Sequence, residues 1–145
     1  MTPKRCQKIK DILNKRQPDL TVVLDNVHKP HNLAAIIRSC DAVGISDIHG
    51  ISSKQEKVGV NLKSASGSNH WVTLHIHHSV PNVISELKQS GFSIYAANGS
   101  AKAIDYRKVD YTKPSVIVLG AELDGISPET LDMVDEEIKI PMQGM

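Results

Sequence analysis

The chain has 145 residues, 40% hydrophobic and 23% charged, which suits one globular domain with a single core. No apolar run approaches the ~18–20 residues that span a bilayer, and the basic start lacks the apolar stretch of a secretory signal, so we expect no membrane partner. Two cysteines, Cys6 and Cys40, exclude a disulfide-rich scaffold and fit a reducing cytoplasm, with Cys40 expected in the core.

Charge is unevenly distributed along the chain, although the net value is only +1. Residues 1–20 carry six basic and two acidic side chains, whereas residues 115–145 carry one basic and seven acidic ones. A basic leading segment is either a solvated helix face or a contact for a polyanion. We therefore divide the chain into a basic N-terminal helix, residues 1–20, and a main domain, residues 21–145.

Hydrophobic periodicity predicts that helices and strands alternate. In chain order we expect a helix over 4–15, a strand over 21–24, a helix from Pro30 to Val43 with Asn32 as its cap and Gly44 at its end, a strand over 47–51, a polar loop over 52–70 with a short helix near 60–65, a strand over 71–76, a helix over 80–89, a strand over 92–97, an irregular stretch over 100–112, a strand over 115–119, a helix from Ser127 to about Val134 and a strand over 138–141. Wholly apolar strands separated by helices indicate an α/β fold, a parallel sheet with helices on both faces.

Several common nucleotide and catalytic motifs do not occur in this sequence. It has no G-x-x-x-x-G-K-[ST] loop, no G-x-G-x-x-G after the first strand and no G-x-S-x-G elbow. His75, His77 and His78 lie close together in sequence, but no cysteine or carboxylate cluster completes a ligand set. We therefore predict no metal site.

Three stretches could carry chemistry, namely residues 26–44, 119–127 and 138–145. In the first, Arg38 lies off the apolar stripe of its helix, either as an ordinary exposed side chain or as a contact for a phosphate or hydroxyl. In the second, a glycine-spaced loop follows an apolar strand, where open α/β sheets bind ligands. The alternative for that loop is a plain strand–helix connection.

Taken in order, these stretches resemble the motifs of the TrmH-type RNA ribose 2′-O-methyltransferases of the SPOUT superfamily. The first motif is matched by Asn32, Ala35, Ile36, Arg38, Asp41, Ala42 and Gly44, the second by Leu119, Gly120, Glu122, Gly125 and Ile126, and the approach to the third by Ile140 to Met145. Residues 16–22, 28–32 and 65–69 are similar to the branch that methylates guanosine 18 of tRNA.

The resemblance implies an α/β knot, a homodimer with shared active sites, S-adenosylmethionine (AdoMet) as cofactor and tRNA as partner. By motif position Arg38 is the catalytic arginine, and Asn32 orients it or the substrate. The cofactor residues are Ala97, Gly120, Glu122, Gly125, Ile140 and Met142, and the RNA contacts are Lys4, Arg5, Lys8, Lys10, Lys54, Lys57 and Lys63.

The sequence ends before the family's third motif is complete. The resemblance therefore predicts a core without its knot segment, which binds AdoMet weakly or not at all. Two alternatives stay open: a non-catalytic RNA-binding fragment, and methylation of a ribose in ribosomal RNA or at the tRNA wobble position.

Overall fold

Helices and strands alternate in the computed structural model, which describes residues 1–52 and 67–144. In chain order they are α1 (Pro3–Leu13), β1 (Leu20–Asp25), α2 (Pro30–Val43), β2 (Asp47–Ile51), β3 (Thr73–His77), α3 (Val80–Gln89), β4 (Ser93–Ala97), β5 (Ile104–Asp105), β6 (Ser115–Gly120), α4 (Pro128–Leu131) and β7 (Glu136–Lys139). Short 3-10 turns occupy Ser68–His70 and Tyr106–Lys108.

The strands of this described part form one seven-stranded sheet in the order β3-β2-β1-β6-β4-β7-β5, and every pair is parallel. The central strands β1 and β6 run in register from Leu20 beside Ser115 to Asp25 beside Gly120. The carboxyl ends of these two strands therefore lie side by side, and the loops that follow them meet at one edge of the sheet.

Alternating side chains of the sheet pack into two separate cores. Val22 and Leu24 of β1 pack against Leu33, Ile37 and other buried residues of α2. On the opposite face, Val23 of β1 joins Val116 and Val118 of β6 in a core that also contains four residues of α3. The predicted α/β fold, a parallel sheet with helices on both faces, is thus confirmed, as is the burial of Cys40, which is 3% exposed.

Helix α2 has the predicted bounds, Pro30–Val43, but not the predicted cap. Gly44 ends it in the left-handed conformation, φ +86°, and an added Cβ there would lie 2.6 Å from the carbonyl oxygen of Lys15. The prediction that Asn32 caps this helix is wrong, because the helix begins at Pro30, whose missing N–H suits a first position. The side chain of Asn32 is used in a tertiary contact instead.

The region around α4 and β7 also differs from the prediction. Ser127 does cap α4, accepting from the backbone N–H of Thr130, but the helix ends at Leu131 rather than near Val134. Asp135 bonds the chain to β4 directly before β7 begins. Its carboxylate accepts from the N–H of Ile94, and its own N–H donates to the carbonyl of Ile94. The last strand therefore runs over Glu136–Lys139 instead of 138–141.

Smaller differences occur at β3 and between β4 and β6. The strand predicted over 71–76 is observed at Thr73–His77, and the stretch predicted as irregular, 100–112, contains β5 and a 3-10 turn. The helix predicted near 60–65 lies outside the described residues.

Every residue of α1 is at least partly exposed. The chain after α1 is anchored by Arg16, whose guanidinium donates to the carbonyl oxygens of Ile45 (3.1 Å) and Trp71 (2.9 Å) and lies 3.6 Å from Asp41. Gln17 adds a backbone hydrogen bond to Gly44. Among the described residues, no helix has the length and apolar character required to cross a membrane.

Candidate active site

The loops after β1 and β6 meet at the carboxyl edge of the sheet, where parallel α/β sheets bind ligands. A small cavity of about 60 Å³ lies between them. It is lined by Val27, His28, Lys29 and Asn32 from the β1 side and by Ala121, Glu122, Leu123 and Asp124 from the β6 side. The first and second sequence motifs, separated by about ninety positions, are thus joined at this edge.

Glu122 links the two loops through charged and polar contacts. Its carboxylate forms a short ion pair with the ammonium of Lys29 and accepts a weaker hydrogen bond, 3.4 Å, from the Asn32 amide. The Lys29 contact, followed by the charge of Lys29 and the Asn32 contact, lowers the pKa of Glu122. Both charged side chains are about half exposed, so this cluster holds a carboxylate at the surface within reach of a ligand.

The loop after β6 is a tight turn closed by backbone contacts. Ala121 and Gly125 exchange two backbone hydrogen bonds of 3.0 and 2.9 Å, and Gly125 has a φ of +68°. A Cβ on Gly120 would lie 2.2 Å from the carbonyl carbon of Gly125, so this position accepts no side chain without rearrangement. Glycine here lets the turn fold back on its own strand.

Asp25 fixes the far end of that loop. This carboxylate is 1% exposed and accepts from the backbone N–H of Ser127 (2.8 Å) and from its hydroxyl (2.7 Å). The amide of Asn26 donates to its other oxygen at 2.7 Å. The end of β1 is therefore bonded directly to the start of α4.

A much larger cavity, of about 1020 Å³, lies over β6 and β7. Its apolar lining includes Ile117, Leu119 and Ile138, and its rim is formed by Ala97, Asn98 and Gly99 after β4 and by residues 140–142 and 144 after β7. Tyr106 and Tyr111 close another side. The volume and the mostly apolar walls with a few polar groups are typical of sites for cofactors of nucleotide size.

The predicted cofactor residues fall into two groups in the structure. Ala97, Ile140 and Met142 line the large cavity. Gly120 and Gly125 form the tight turn instead, and Glu122 lines the small cavity. Their roles toward AdoMet stay predictions.

Arg38 and Asn32, the predicted catalytic residues, are both on α2 but do not come together. Arg38 is exposed, as predicted, and lines neither of the two cavities described above. It lies six residues beyond Asn32, about 9 Å along the helix axis and roughly 120° around it. Only Asn32 joins the Glu122 cluster.

The predicted RNA contacts on α1, Lys4, Arg5, Lys8 and Lys10, are all exposed on this helix. Asp11 on the same helix is bonded to Gln7 at 2.8 Å. The other three predicted contacts, Lys54, Lys57 and Lys63, lie outside the described residues.

Three histidines form a cluster on β2 and β3. His49 and His75 are cross-strand partners with ring centroids 5.2 Å apart, and Nδ1 of His49 lies 3.0 Å from Nε2 of His77. Burial, with the neighbouring histidines, lowers the pKa of His49 to about 4, so its ring is neutral at pH 7. Nε2 of His75 is bonded to Asp47 at 2.9 Å. Across residues 1–52 and 67–144, no three His, Cys, Asp or Glu side chains are arranged to hold a metal ion.

Sequence reasoning missed two polar residues near these cavities. Lys29, the partner of Glu122, was not among the predicted site residues, and its signal was its position inside the similar stretch 28–32, directly before Pro30. Glu137, 4% exposed in β7, is bonded to the loop after β4. A glutamate in an acidic run carries no sequence signal that it is buried.

Comparison with known proteins shows what the chain is similar to. The sequence profile of the SpoU rRNA methylase family matches residues 19–145. A tRNA (guanosine(18)-2′-O)-methyltransferase of Thermus thermophilus is 46% identical over 144 residues, which cover 99% of this chain and 74% of that enzyme. The Escherichia coli K12 enzyme of the same name is 42% identical over 145 residues, and the chain spans 63% of its length.

Solved structures agree with the sequence matches. The crystal structure of the TrmH/SpoU tRNA modifying enzyme of A. aeolicus superposes with a TM-score of 0.86 at 41% identity, over 98% of this chain and 72% of that one. An AdoMet-bound rRNA methyltransferase of Sinorhizobium meliloti has a TM-score of 0.77 at 28% identity, over 90% of this chain and 50% of that one.

Proposed function

Because this chain belongs to the SpoU rRNA methylase family, we propose that it transfers the methyl group of AdoMet to the ribose 2′-hydroxyl of guanosine 18 in tRNA. The observation that carries this proposal is the similarity over nearly the whole chain to enzymes named for that reaction. The contact of Asn32 with Glu122, which joins two motifs of the family, supports it. The reaction would take place where tRNA is found, in the cytoplasm.

The large cavity fits the cofactor. Leu119, Ile138 and Ile140 offer apolar surface for an adenine ring, and backbone groups of residues 97–99 lie at the carboxyl end of β4, where a ribose or amino acid portion could be bound. A Cβ at Gly99 would meet no atom within 4 Å, so this stretch leaves open space for a ligand. AdoMet supplies an electrophilic methyl group on a sulfonium.

The acceptor hydroxyl must approach that methyl group in line and lose its proton. Arginine is a poor base, since its pKa exceeds about 12. We assign Arg38 to stabilise the developing alkoxide and to hold the neighbouring phosphate with its planar fork, as fixed charges at a developing anion do. A phosphate oxygen or water would then accept the proton.

We further propose that two copies of the chain complete each active site. Arg38 lines neither cavity, so within one copy it is not among the residues that form the cofactor walls. A second copy that presents its own Arg38 to the large cavity would supply the missing charge. Such an arrangement requires a symmetric homodimer.

Basic side chains are proposed to hold the tRNA. Lys4, Arg5 and Lys8 project from an exposed helix that buries no residue, as expected of a phosphate-binding element. Lys10 belongs to the same group, and Lys54, Lys57 and Lys63 extend it in sequence. These contacts set affinity and leave the choice of nucleotide to other groups.

The test is methyl transfer to defined transcripts. The chain is incubated with labelled AdoMet at saturating concentration and either ribosomal RNA or one of three tRNAs: unmodified, premethylated on the ribose of guanosine 18, or deoxy at that 2′ position. Binding of each tRNA is measured in parallel. We expect label only in the unmodified transcript. Label in the premethylated tRNA, or in ribosomal RNA alone, would show that the methylated ribose is a different one. Binding of tRNA without any methyl transfer would favour the non-catalytic alternative.

A further inference from the structure

Glu137 is a buried carboxylate that the proposed reaction does not use. It is 4% exposed and lies in β7, between β4 and β5. Along β7 its neighbour Ile138 lines the large cavity, and successive side chains of a strand point to opposite faces of the sheet. Glu137 therefore points away from the cavity and does not contact a ligand there.

The partners of Glu137 all lie within five consecutive residues after β4. One carboxylate oxygen, Oε2, accepts from the Asn98 amide at 2.7 Å and from the Ser100 hydroxyl at 2.6 Å. The other, Oε1, is 2.6 Å from the ammonium of Lys102. Lys102 comes first among the groups that lower the pKa of Glu137, so the carboxylate is charged at neutral pH.

This stretch, residues 98–102, is called here the β4 loop. Its first two residues, Asn98 and Gly99, form part of the wall of the large cavity. One backbone bond, from the N–H of Asn98 to the carbonyl of Ile138 (3.0 Å), continues the pairing of β4 with β7. Between Asn98 and β5, which itself pairs with β7, the contacts with β7 that the structure describes are those made by the side chain of Glu137.

Burying a charged side chain at this position costs free energy. A buried carboxylate is tolerated only when hydrogen bonds and an opposite charge satisfy it, and an apolar residue could occupy a strand interior without that requirement. Here the three satisfying groups come from the loop that lines the cavity and not from the helices packed on the sheet. These three contacts hold the β4 loop against β7, the strand whose Ile138 lines the cavity.

We propose that Glu137 is a positioning residue for the cofactor. Its side chain holds the β4 loop against β7, so that Asn98 and Gly99 keep the shape of the cavity wall. This inference rests on the proposed function, because it assigns the large cavity to AdoMet. It gives the carboxylate a role in cofactor affinity and none in RNA binding or in the chemical step.

The experiment compares Glu137→Ala, Glu137→Gln and the matched control Glu136→Ala, which changes an exposed glutamate one position away in the same strand. We expect Glu137→Ala to raise the KM for AdoMet about tenfold, the low end of effects seen for residues that support ligand-binding groups. The kcat at saturating AdoMet and the KM for tRNA should stay within about twofold, since neither is assigned to this loop. Glu137→Gln keeps one acceptor oxygen and should raise the KM for AdoMet less than Glu137→Ala does.

A second variant removes the loop's side of the contact and leaves β7 intact. Ser100→Ala combined with Lys102→Ala deletes two of the three partners, neither of which lines the cavity. It should reproduce the rise in the KM for AdoMet even if the Glu137 variants do not fold. Amide hydrogen exchange of residues 98–102 should be faster in this variant and unchanged in Glu136→Ala.

The outcomes separate this inference from the proposed function. An unchanged KM for AdoMet in the Ser100/Lys102 variant, or an equal loss for AdoMet and tRNA, would overturn the role of Glu137 while methyl transfer by the parent protein still stood. A parent protein that neither transfers methyl groups nor binds AdoMet, but whose loop exchange rises in the variants, would overturn the cofactor role together with the proposed function.

Discussion

Arg38 is the side chain on which the proposed chemistry depends most. Arg38→Ala should lower kcat by about 100-fold or more, the loss typical when a charge-stabilising donor is removed. Arg38→Lys keeps the charge but loses the planar fork, so we expect a drop of about tenfold. Single-turnover methylation of a tRNA transcript measures both. Ser39→Ala, a change at the adjacent exposed position of α2, is the control, and full activity of Arg38→Lys would exclude bidentate positioning.

Gly120 and Gly99 form a matched pair for substitution. Gly120 is the last residue of β6, and Gly99 lies two residues after the end of β4. A Cβ on Gly120 would lie 2.2–2.4 Å from backbone atoms of Gly125 and Ile126, whereas one on Gly99 meets nothing within 4 Å. Gly120→Ala should destabilise the fold by about 1–3 kcal/mol or more, because backbone must move. Gly99→Ala should change stability by less than about 0.5 kcal/mol. Urea unfolding of both variants tests this, and equal stabilities would show that the turn can relax.

At the scale of single residues, the sequence predicts those side chains whose residue type and motif indicate their chemistry. Arg38 and Glu122 stand in recognisable motifs, and their exposure agrees with the helical wheel and the loop position. Asn32 was placed in the right motif with the wrong local role, because a cap and a tertiary contact use the same amide. Lys29 and Glu137 were missed because their roles depend on partners ninety-three and thirty-nine positions away, respectively.

The elements that sequence predicts well are those whose signals are local. The strand Asp47–Ile51 and the helix α3 were predicted with their observed bounds, and Gly44 marked the end of α2. The boundary between α4 and β7 was misplaced, because Asp135 pairs with Ile94 on a distant strand. Apolar alternation around Ile138 and Ile140 suggested a later strand, and only the pairing of β7 with β4 decides its register.

Helix α1 is the element whose role is predicted by charge. Replacing Lys4 and Lys8, which lie one helical turn apart, with glutamine should weaken tRNA binding and reduce the slope of log affinity against log salt by about 0.7–0.9 per charge removed. The folded core should be unaffected, since α1 buries no residue. Filter binding at several salt concentrations measures the slope. Lys88→Gln, which removes one positive charge on α3, is the control for charge lost away from α1. A Lys4/Lys8 variant whose slope equals that of the parent would remove α1 from the RNA interface.

Across the whole molecule, the buried residues that stabilise the fold and the loops that line the proposed sites lie in different places. The two cores lie on opposite faces beneath α2 and α3, while both cavities involve loops at the carboxyl ends of β1, β4, β6 and β7. The large cavity is lined by Ile117 and Leu119, and Leu119 also packs against the core beneath α2. Arg38, which is on α2, lines neither cavity, and this observation is the reason to propose two copies at each site.

Complementation between two inactive variants tests this sharing. Arg38→Ala removes the arginine and Ala97→Trp fills the rim of the large cavity, so each variant alone should be inactive. In a mixed dimer with shared sites, one site carries both defects and the other carries neither. Equal mixing should therefore restore about a quarter of parental activity, since half of the dimers are mixed and each has one intact site. Activity that stays at the level of the separate variants, while mass measurement shows that mixed dimers have formed, would place Arg38 and its cofactor in the same copy.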